Sequence, residues 1–410
     1  MNSLSNNINL MPSKRTKVIA NIMVYLLKNI RHGTIEMHWP DGKVDTYQGK
    51  ESMHLKGVLI VHDWDLFKQI VRTGAIGFAE GYLANYWSTP DISDLLEVLN
   101  LNLDEMQSHI GKNKIIKFMT RLSHILRPNS RSGSKKNIYE HYDLGNSFYE
   151  KWLDPSMTYS SAIFKNKKNS LETAQHEKYK SLAQSIGLKK EHHILEIGCG
   201  WGGFAEYAAT QIGCRVTGLT ISQAQYDYAC DRMHKKGLSD RVNIKLQDYR
   251  DVQGDFDRIA SIEMFEAVGE KYWPTFFTKV SSILKPGGKA GLQIITIDDK
   301  KFKTYRKNAD FIQKYIFPGG MLPSKDALND EFNKAHLKLQ ETLDFRLDYA
   351  ETLARWRAKF NEQWHEIKLM GFDERFKQMW EYYLAYCEAG FKTGTIDVSQ
   401  FYLHKAKSNP

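Results

Sequence analysis

ILEIGCGWGG, residues 194–203, reads as the end of a strand, a glycine turn and the start of a helix. A turn of this kind lets backbone approach a nucleotide-like ligand without a Cβ clash. Two cofactor patterns fit it. Gly198, Gly200 and Gly203 satisfy the G-x-G-x-x-G of dinucleotide sites, and Gly198, Gly200 and Gly202 satisfy a tighter G-x-G-x-G. Glycines alone do not choose between them.

The flanking sequence alternates strand and helix from residue 190 onward. HHILEIG reads as strand one and GGFAEYAATQIG as a helix. RVTGLTI is strand two, SQAQYDYACDRMHKKG a helix, and VNIKLQDY strand three. FDRIASIEMFEAVG reads as strand four, YWPTFFTKVSSIL as a helix and KAGLQIITI as strand five. Such alternation predicts a doubly wound, mostly parallel sheet with ligands at the carboxyl ends of its strands. A dinucleotide site needs an acid at the end of strand two for the ribose hydroxyls. Here strand two ends in GLTIS, with Thr220 and Ser222 and no carboxylate. Glu196 stands two residues before the first glycine, where S-adenosylmethionine (SAM) enzymes place an acid near the methionine part. Asp248, closing strand three, falls where such enzymes contact adenine. The reading is therefore SAM.

The rest of the chain sets the bounds. Its 410 residues suffice for two or three domains of ~100–200 residues each. The N-terminal part differs in character: GTIEMHWPDGKVDTYQG predicts a hairpin, GVLIVHDWDLFKQIVRTG a strand and helix, and DISDLLEVLNLNLDEM a helix capped by Asp91 or Ser93. Cys199, Cys214, Cys230 and Cys387 show no CxxC or zinc spacing, so no metal site is expected and the chain reads as reduced and cytoplasmic. Neither a secretory signal nor a spanning segment is expected. The net charge of +9 suits either an anionic partner or plain solubility. Residues 112–137, KNKIIKFMTRLSHILRPNSRSGSKKN, carry many lysines and arginines and no acid, with an apolar stripe at helical spacing. They read as an amphipathic helix and basic linker, either packed on the core or facing anionic lipid. No nucleic-acid motif accompanies them. The expected divisions are 1–125, an α+β docking domain; 112–137, the basic helix and linker; and 138–410, the catalytic domain.

In order, HYDLGNSFYEKWLD, MTYSSAIF, LEIGCGWGG, GLTISQAQ, LQDYRD, EMFEAVG, KYIFPGGMLPS and LDYAETLARW resemble the cyclopropane-fatty-acyl-phospholipid synthases and the related mycolic acid methyltransferases. The likeness runs from about residue 137 to the end. Residues 30 to 105 more weakly resemble the N-terminal domain of the bacterial enzymes. The resemblance implies a Rossmann-like class I SAM methyltransferase domain with a mostly parallel seven-stranded sheet, preceded by a smaller α+β domain.

It also implies a reaction. A methyl group from SAM adds to the cis double bond of an unsaturated phospholipid acyl chain, and deprotonation of the resulting carbocation closes a cyclopropane ring. Aromatic faces can steady such a cation, and Tyr142, Tyr159, Phe265 and Tyr349 stand at the matching positions, with core packing the other reading. The base implied is a bound bicarbonate ion, held by Glu266, Tyr349 and main-chain groups near Ser161 and Ile295. For SAM the family pattern falls on Tyr159, Ser160, Gly198, Gly200, Thr220, Gln225, Gln247 and Asp248, with Glu196 in support. Three positions depart from the pattern: Ser161 stands for a cysteine, Ala267 for a histidine, and Gln293 for the histidine that resembles a bicarbonate ligand. Gln293 still donates a hydrogen bond but cannot titrate. The product is then either a ring or a methyl- or methylene-branched chain, and a non-lipid small-molecule substrate remains the other class. The implied partner is an anionic bilayer reached peripherally from the cytoplasmic side. Double-bond position, head group and oligomeric state, a homodimer included, stay open.

Overall fold

The computed structural model describes residues 12–112 and 144–407. The expected basic helix and linker at 112–137, and Tyr142, thus lie outside the described residues, apart from Lys112 at the end of a helix. The chain forms two compact units: Met1–Gly133 with Phe372–Thr393, and Ser134–Gly371 with Gly394–Pro410.

In the first unit, strands β1 (His32–His38) and β2 (Val44–Gln48) make the hairpin expected around Pro40-Asp41-Gly42. The Asp41 carboxylate accepts from the Lys43 N–H inside that turn. Strand β3 (Glu51–Val61) runs parallel to β1, and the short β4 (Trp87–Ser88) closes a four-stranded sheet in the order β2-β1-β3-β4. Asp91 caps the helix Ile92–Leu101 by accepting from the N–H groups of Ser93 and Asp94. Asn102, at that helix's end, is fully buried. Its Oδ1 accepts from the N–H groups of Arg31 and His32 at 2.7 and 3.0 Å, and its Nδ2 donates to the carbonyls of His32 and Val98 at 2.9 and 2.8 Å. One side chain thereby ties the helix to the start of the sheet.

The helix Glu374–Thr393 belongs to this first unit, so the continuous catalytic domain expected over 138–410 is interrupted. Its apolar face, with Trp380, Tyr383, Leu384 and Phe391 buried, packs on the helices Ile92–Leu101 and Ala75–Leu83. Apolar spacing marks such a face as core but does not say whose core.

The second unit is the expected α/β layer structure. Its strands are β5 (His193–Ile197), β6 (Arg215–Thr220), β7 (Val242–Leu246), β8 (Phe256–Ile262), β9 (Leu284–Ile297), β10 (Leu337–Asp344) and β11 (Ile396–Lys405). They form one sheet in the order β10-β11-β9-β8-β5-β6-β7. Pairings among β5 to β9 are parallel, and those of β11 with β9 and β10 are antiparallel. The chain moves outward from β5 to β7, then crosses back to lay β8 on the other side of β5. That reversal is the switch point at which open α/β sheets bind ligands.

Strand four is shorter than its sequence suggests. β8 ends at Ile262, and Glu263 has a left-handed backbone with φ of 49°. EMFEAVG therefore turns out of the sheet, over its carboxyl end. Phe265 packs into the core against Trp273, Phe276 and Phe277, its ring centroid 5.0–5.5 Å from each of theirs, so it serves packing and not a cation.

Asn102→Ala would remove four hydrogen bonds, two of them from the N–H groups of the exposed Arg31 and the half-buried His32. We expect it to destabilise the first unit by about 2–3 kcal/mol, at roughly 0.5–1.5 kcal/mol net per bond, with water replacing part of what is lost. Urea unfolding of the full chain, followed by a reporter in residues 30–105, should show the earlier midpoint; an unchanged one would mean that Asn102 is not the tie.

Candidate active site

The glycine turn follows β5 directly. Gly198, Gly200 and Gly202 have φ of 83°, 52° and 84°, a region that side chains with a Cβ adopt only with strain. A Cβ on Gly198 would meet the Met264 side chain at 2.6 Å, whereas one on Gly200 would meet nothing within 4 Å. Gly198 is thus needed for packing against the loop after β8, and Gly200 leaves an open approach to the backbone.

Beside this turn, Glu196 is buried, and its Oε2 has no partner among the described residues. Burial pushes its acid up to about 8, against the pull of Lys178, the Ala205 N–H and Arg232. A buried carboxylate with one oxygen open suits a cationic ligand group, here the ammonium of a methionine moiety. At the end of β6 the Thr220 hydroxyl donates to Gln225 Oε1 at 2.8 Å, and the Thr220 carbonyl accepts from the Gln247 N–H at 2.9 Å. Thr220, Gln225 and Gln247 thus form one connected rim, replacing the usual acid. Both Asp248 oxygens accept from Arg250, whose hydrogen bonds hold that carboxyl below its ordinary value. Tyr159 stands in an aromatic group with Tyr149, Trp152 and Trp356, with ring centroids 5.4–5.5 Å from its own. Ser160 Oγ accepts from Lys178 Nζ at 2.6 Å. These residues fit SAM: an open glycine backbone, a cation-ready acid, a polar rim and an aromatic wall.

Sequence reasoning missed the centre of the site. Glu263, at its left-handed turn, is half-buried, and three donors converge on its carboxylate. Oε1 accepts from the Ser161 N–H at 2.8 Å and from Gln293 Nε2 at 2.7 Å, and Oε2 accepts from the Tyr349 hydroxyl at 2.5 Å. Gln293 lies opposite Ile262 on β8 and Gln400 on β11. Its amide is oriented by Gln400, whose Nε2 donates to Gln293 Oε1 at 3.0 Å. Gln400 is oriented in turn by Tyr402 and Ser181, whose hydroxyls donate to its Oε1 at 2.6 and 3.0 Å. The amide orientations follow from this chain of donors and acceptors. In the sequence, the signal for Glu263 is a second carboxylate in EMFEAVG, a stretch whose pattern predicts strand.

Glu266 sits nearby. Its Oε1 accepts from the Ile295 N–H at 2.6 Å, and its buried Oε2 has no partner among the described residues. Its carbonyl accepts from the Met321 N–H at 2.9 Å, which brings the IFPGGMLP segment against the site. Burial, reinforced by the charge of Glu263, pushes the Glu266 acid up to about 8. Burial also raises Glu263, but Tyr349, Lys178, Gln293 and the Ser161 N–H all oppose the shift. The donors are thereby split: three reach Glu263 and favour its charged form, while Glu266, facing that charge, favours its protonated form. Lys178, fully buried, is pushed down to about 8 by burial and held up by Glu263, Asp154 and Glu196. It too escaped the sequence reading, as did the buried Trp356, 6.2 Å from the Tyr349 ring centroid.

Bicarbonate does not fit this arrangement. Of the groups expected to hold it, the Ser161 N–H, Gln293 and Tyr349 donate to Glu263, and the Ile295 N–H donates to Glu266. A second anion beside Glu263 would find its donors taken and a like charge facing it. Ser161 contributes through its backbone only, since its hydroxyl donates to the Ala162 carbonyl.

The sheet order, the glycine turn and its rim define a class I SAM-dependent methyltransferase. Residues 129–401 match the mycolic acid cyclopropane synthetase family, and the chain belongs to that family. It is 38% identical over 358 residues to a tuberculostearic acid methyltransferase of Mycobacterium tuberculosis, covering 84% of this chain and 82% of that one. It is 37% identical over 351 residues to the cyclopropane-fatty-acyl-phospholipid synthase of Escherichia coli K12, covering 84% and 87%. Among solved structures, a cyclopropane synthase of Mycobacterium tuberculosis superposes with a TM-score of 0.62 at 30% identity, over 66% of this chain and 97% of that one. A mycolic acid cyclopropane synthase complexed with SAH and CTAB also superposes at 0.62, with 28% identity and the same coverage.

The acid of Glu196 gives a pH signature. A cationic ligand favours its ionised form, which is populated above about 8 and lost below it. SAM affinity should therefore rise roughly tenfold per pH unit up to that value and then level off. Calorimetry in two buffers of different ionisation enthalpy should also show proton release at pH 7; a flat affinity profile would take Glu196 out of the contact.

Proposed function

We propose that this chain transfers a methyl group from SAM to the cis double bond of an unsaturated phospholipid acyl chain and that the product closes to a cyclopropane. The observation that carries this reading is the Glu263 carboxylate, held by converging donors beside the glycine turn and an aromatic wall. An alkene is a weak nucleophile, and its alkylation leaves a carbocation that water would quench. The site must therefore orient the alkene, exclude water, steady a positive charge and remove a proton.

When bound, SAM supplies an electrophilic methyl carbon. Gly198, Gly200, Glu196 and the Thr220–Gln225–Gln247 rim would hold it. Tyr159, Tyr349 and Trp356 present aromatic faces to a cation and exclude water. The Glu263 anion lies close to Tyr349 and lowers the energy of a nearby positive charge.

A second reading, methyl or methylene branching without ring closure, is favoured by the likeness to the tuberculostearic acid methyltransferase, which matches about as well as the cyclopropane synthase. For membrane contact, the basic, acid-free residues 112–137 fit attraction to an anionic bilayer. Among the described residues no helix is long and apolar enough to cross a membrane.

Vesicles of monounsaturated phospholipid incubated with SAM carrying a fully deuterated methyl group test the chemistry. The expected acyl product keeps two deuteriums and resists mild hydrogenation, the mark of a ring. Two deuteriums on a chain that takes up hydrogen would mean a methylene branch, and three a methyl branch. No label in lipid would sink the lipid reading.

Replacing the lysines and arginines of 112–137 by glutamine should weaken sedimentation with anionic vesicles, most clearly below ~0.05 M salt, where the Debye length exceeds the ~10 Å of 0.1 M. Unchanged sedimentation would place the docking surface elsewhere.

A further inference from the structure

We propose that the Glu263 side chain is a built-in base that takes the place of bicarbonate, so that this chain turns over without that ion. The inference rests on the methyl-transfer reading above and goes beyond it by naming the group that receives the proton.

The donor set carries the argument. A carboxylate and a bicarbonate present the same face to hydrogen-bond donors: two oxygens on one planar carbon. The Glu263 carboxylate takes up the Ser161 N–H, the Gln293 amide and the Tyr349 hydroxyl, at 2.8, 2.7 and 2.5 Å. Those groups come from three separate parts of the chain: the loop before the helix Leu171–Ser185, strand β9, and the helix Arg346–Glu362. Their convergence on one side chain leaves none of them for a free anion.

The backbone points the same way. Glu263 is one of four non-glycine residues with a positive φ among the described residues. Such a conformation costs roughly 1–3 kcal/mol and persists where the surroundings impose it. Here the Glu263 N–H donates to the Gln293 carbonyl at 2.8 Å, which keeps the residue in register with β9 while its side chain swings over the strand end. The amide of Gln293 is fixed in turn by Gln400, Tyr402 and Ser181. That buried chain presents an N–H, never a carbonyl, to Glu263. The neighbouring Glu266 can face this anion because it can carry a proton on its open oxygen.

The step balances simply. The alkylated acyl chain carries one positive charge next to the carbon bearing the new methyl group. A Glu263 oxygen takes one proton from that methyl group. The C–H electron pair forms the third ring bond, and the charges of cation and carboxylate cancel. Should a hydride first migrate from the methyl-bearing carbon to the neighbouring cation, the charge moves onto the methyl-bearing carbon, and loss of a methyl proton to the same base yields a methylene branch. Glu263 then returns the proton to solvent between turnovers.

Two variants test the proposal. Glu263→Gly suits the positive φ and frees three donors; Glu263→Gln keeps the size and removes the base. Label transfer to phospholipid is measured with the full chain in buffer stripped of carbon dioxide, then with added bicarbonate or formate. Binding of 13C-bicarbonate is followed by NMR line broadening, and SAM affinity reports that each variant is folded. Wild-type turnover should stay within twofold whether or not bicarbonate is present, with no bicarbonate binding. Glu263→Gly should lose about 10²-fold or more, the scale of a general base. Bicarbonate or formate should restore it, and bicarbonate should bind. Glu263→Gln should be as slow and not be restored. Bicarbonate-dependent wild-type turnover, bicarbonate binding to the wild type, or normal turnover by either folded variant would overturn the proposal. If the wild type labels no phospholipid, the lipid reading fails. The 13C-bicarbonate binding then decides the role of Glu263 alone, with binding to Glu263→Gly and not to the wild type in its favour.

Discussion

Two neighbouring, largely desolvated carboxylates at the carboxyl end of a parallel sheet are the constraint around which the second unit is arranged. Each would be costly alone, and two charges together costlier still. The fold meets this with donors. Glu263 receives a backbone N–H, an amide and a phenol, while Glu266 receives one backbone N–H and rises to about 8. Asymmetry in donors favours the charge on Glu263 and the proton on Glu266. Lys178, itself pushed down by burial, supplies a further positive charge between Glu263 and Glu196.

That requirement explains features of the sheet that parallel α/β architecture alone does not demand. β11 is antiparallel and lies beside β9, so that Gln400 comes opposite Gln293. The left-handed residue at the end of β8 turns a carboxylate over the strand ends, where a regular strand would have left it on a face. The Gln293 amide, which cannot titrate, suits a partner that is already an anion: it donates without competing for the proton.

The cofactor side follows a different logic. There the glycines remove side chains, and Glu196 keeps one oxygen uncommitted. Where the reaction needs a fixed anion, the protein converges donors on it. Where it needs to receive a cation, it leaves one oxygen open. The same residue type thus does opposite work about one strand apart, on β5 and at the end of β8.

Legible in the chain alone were the alternating strands and helices, the glycine turn at the end of β5, the missing acid at the end of β6 and the hairpin of the first unit. All of these are local: periodicity, turn chemistry and short motifs are written in neighbouring residues. Also legible was the family resemblance, because ordered motifs survive where pairwise contacts cannot be read. Which carboxylate is the centre emerges on folding. Glu263, Gln293 and Tyr349 lie far apart in the chain, and their meeting depends on the register of β8, β9 and β11 and on a left-handed turn that no propensity foretells. The same holds for the helix Glu374–Thr393, whose apolar face was legible while the unit that buries it was not. Hydrogen-bond donors converging from distant segments are a property of the folded chain, and that convergence is what sets two glutamates of one loop apart.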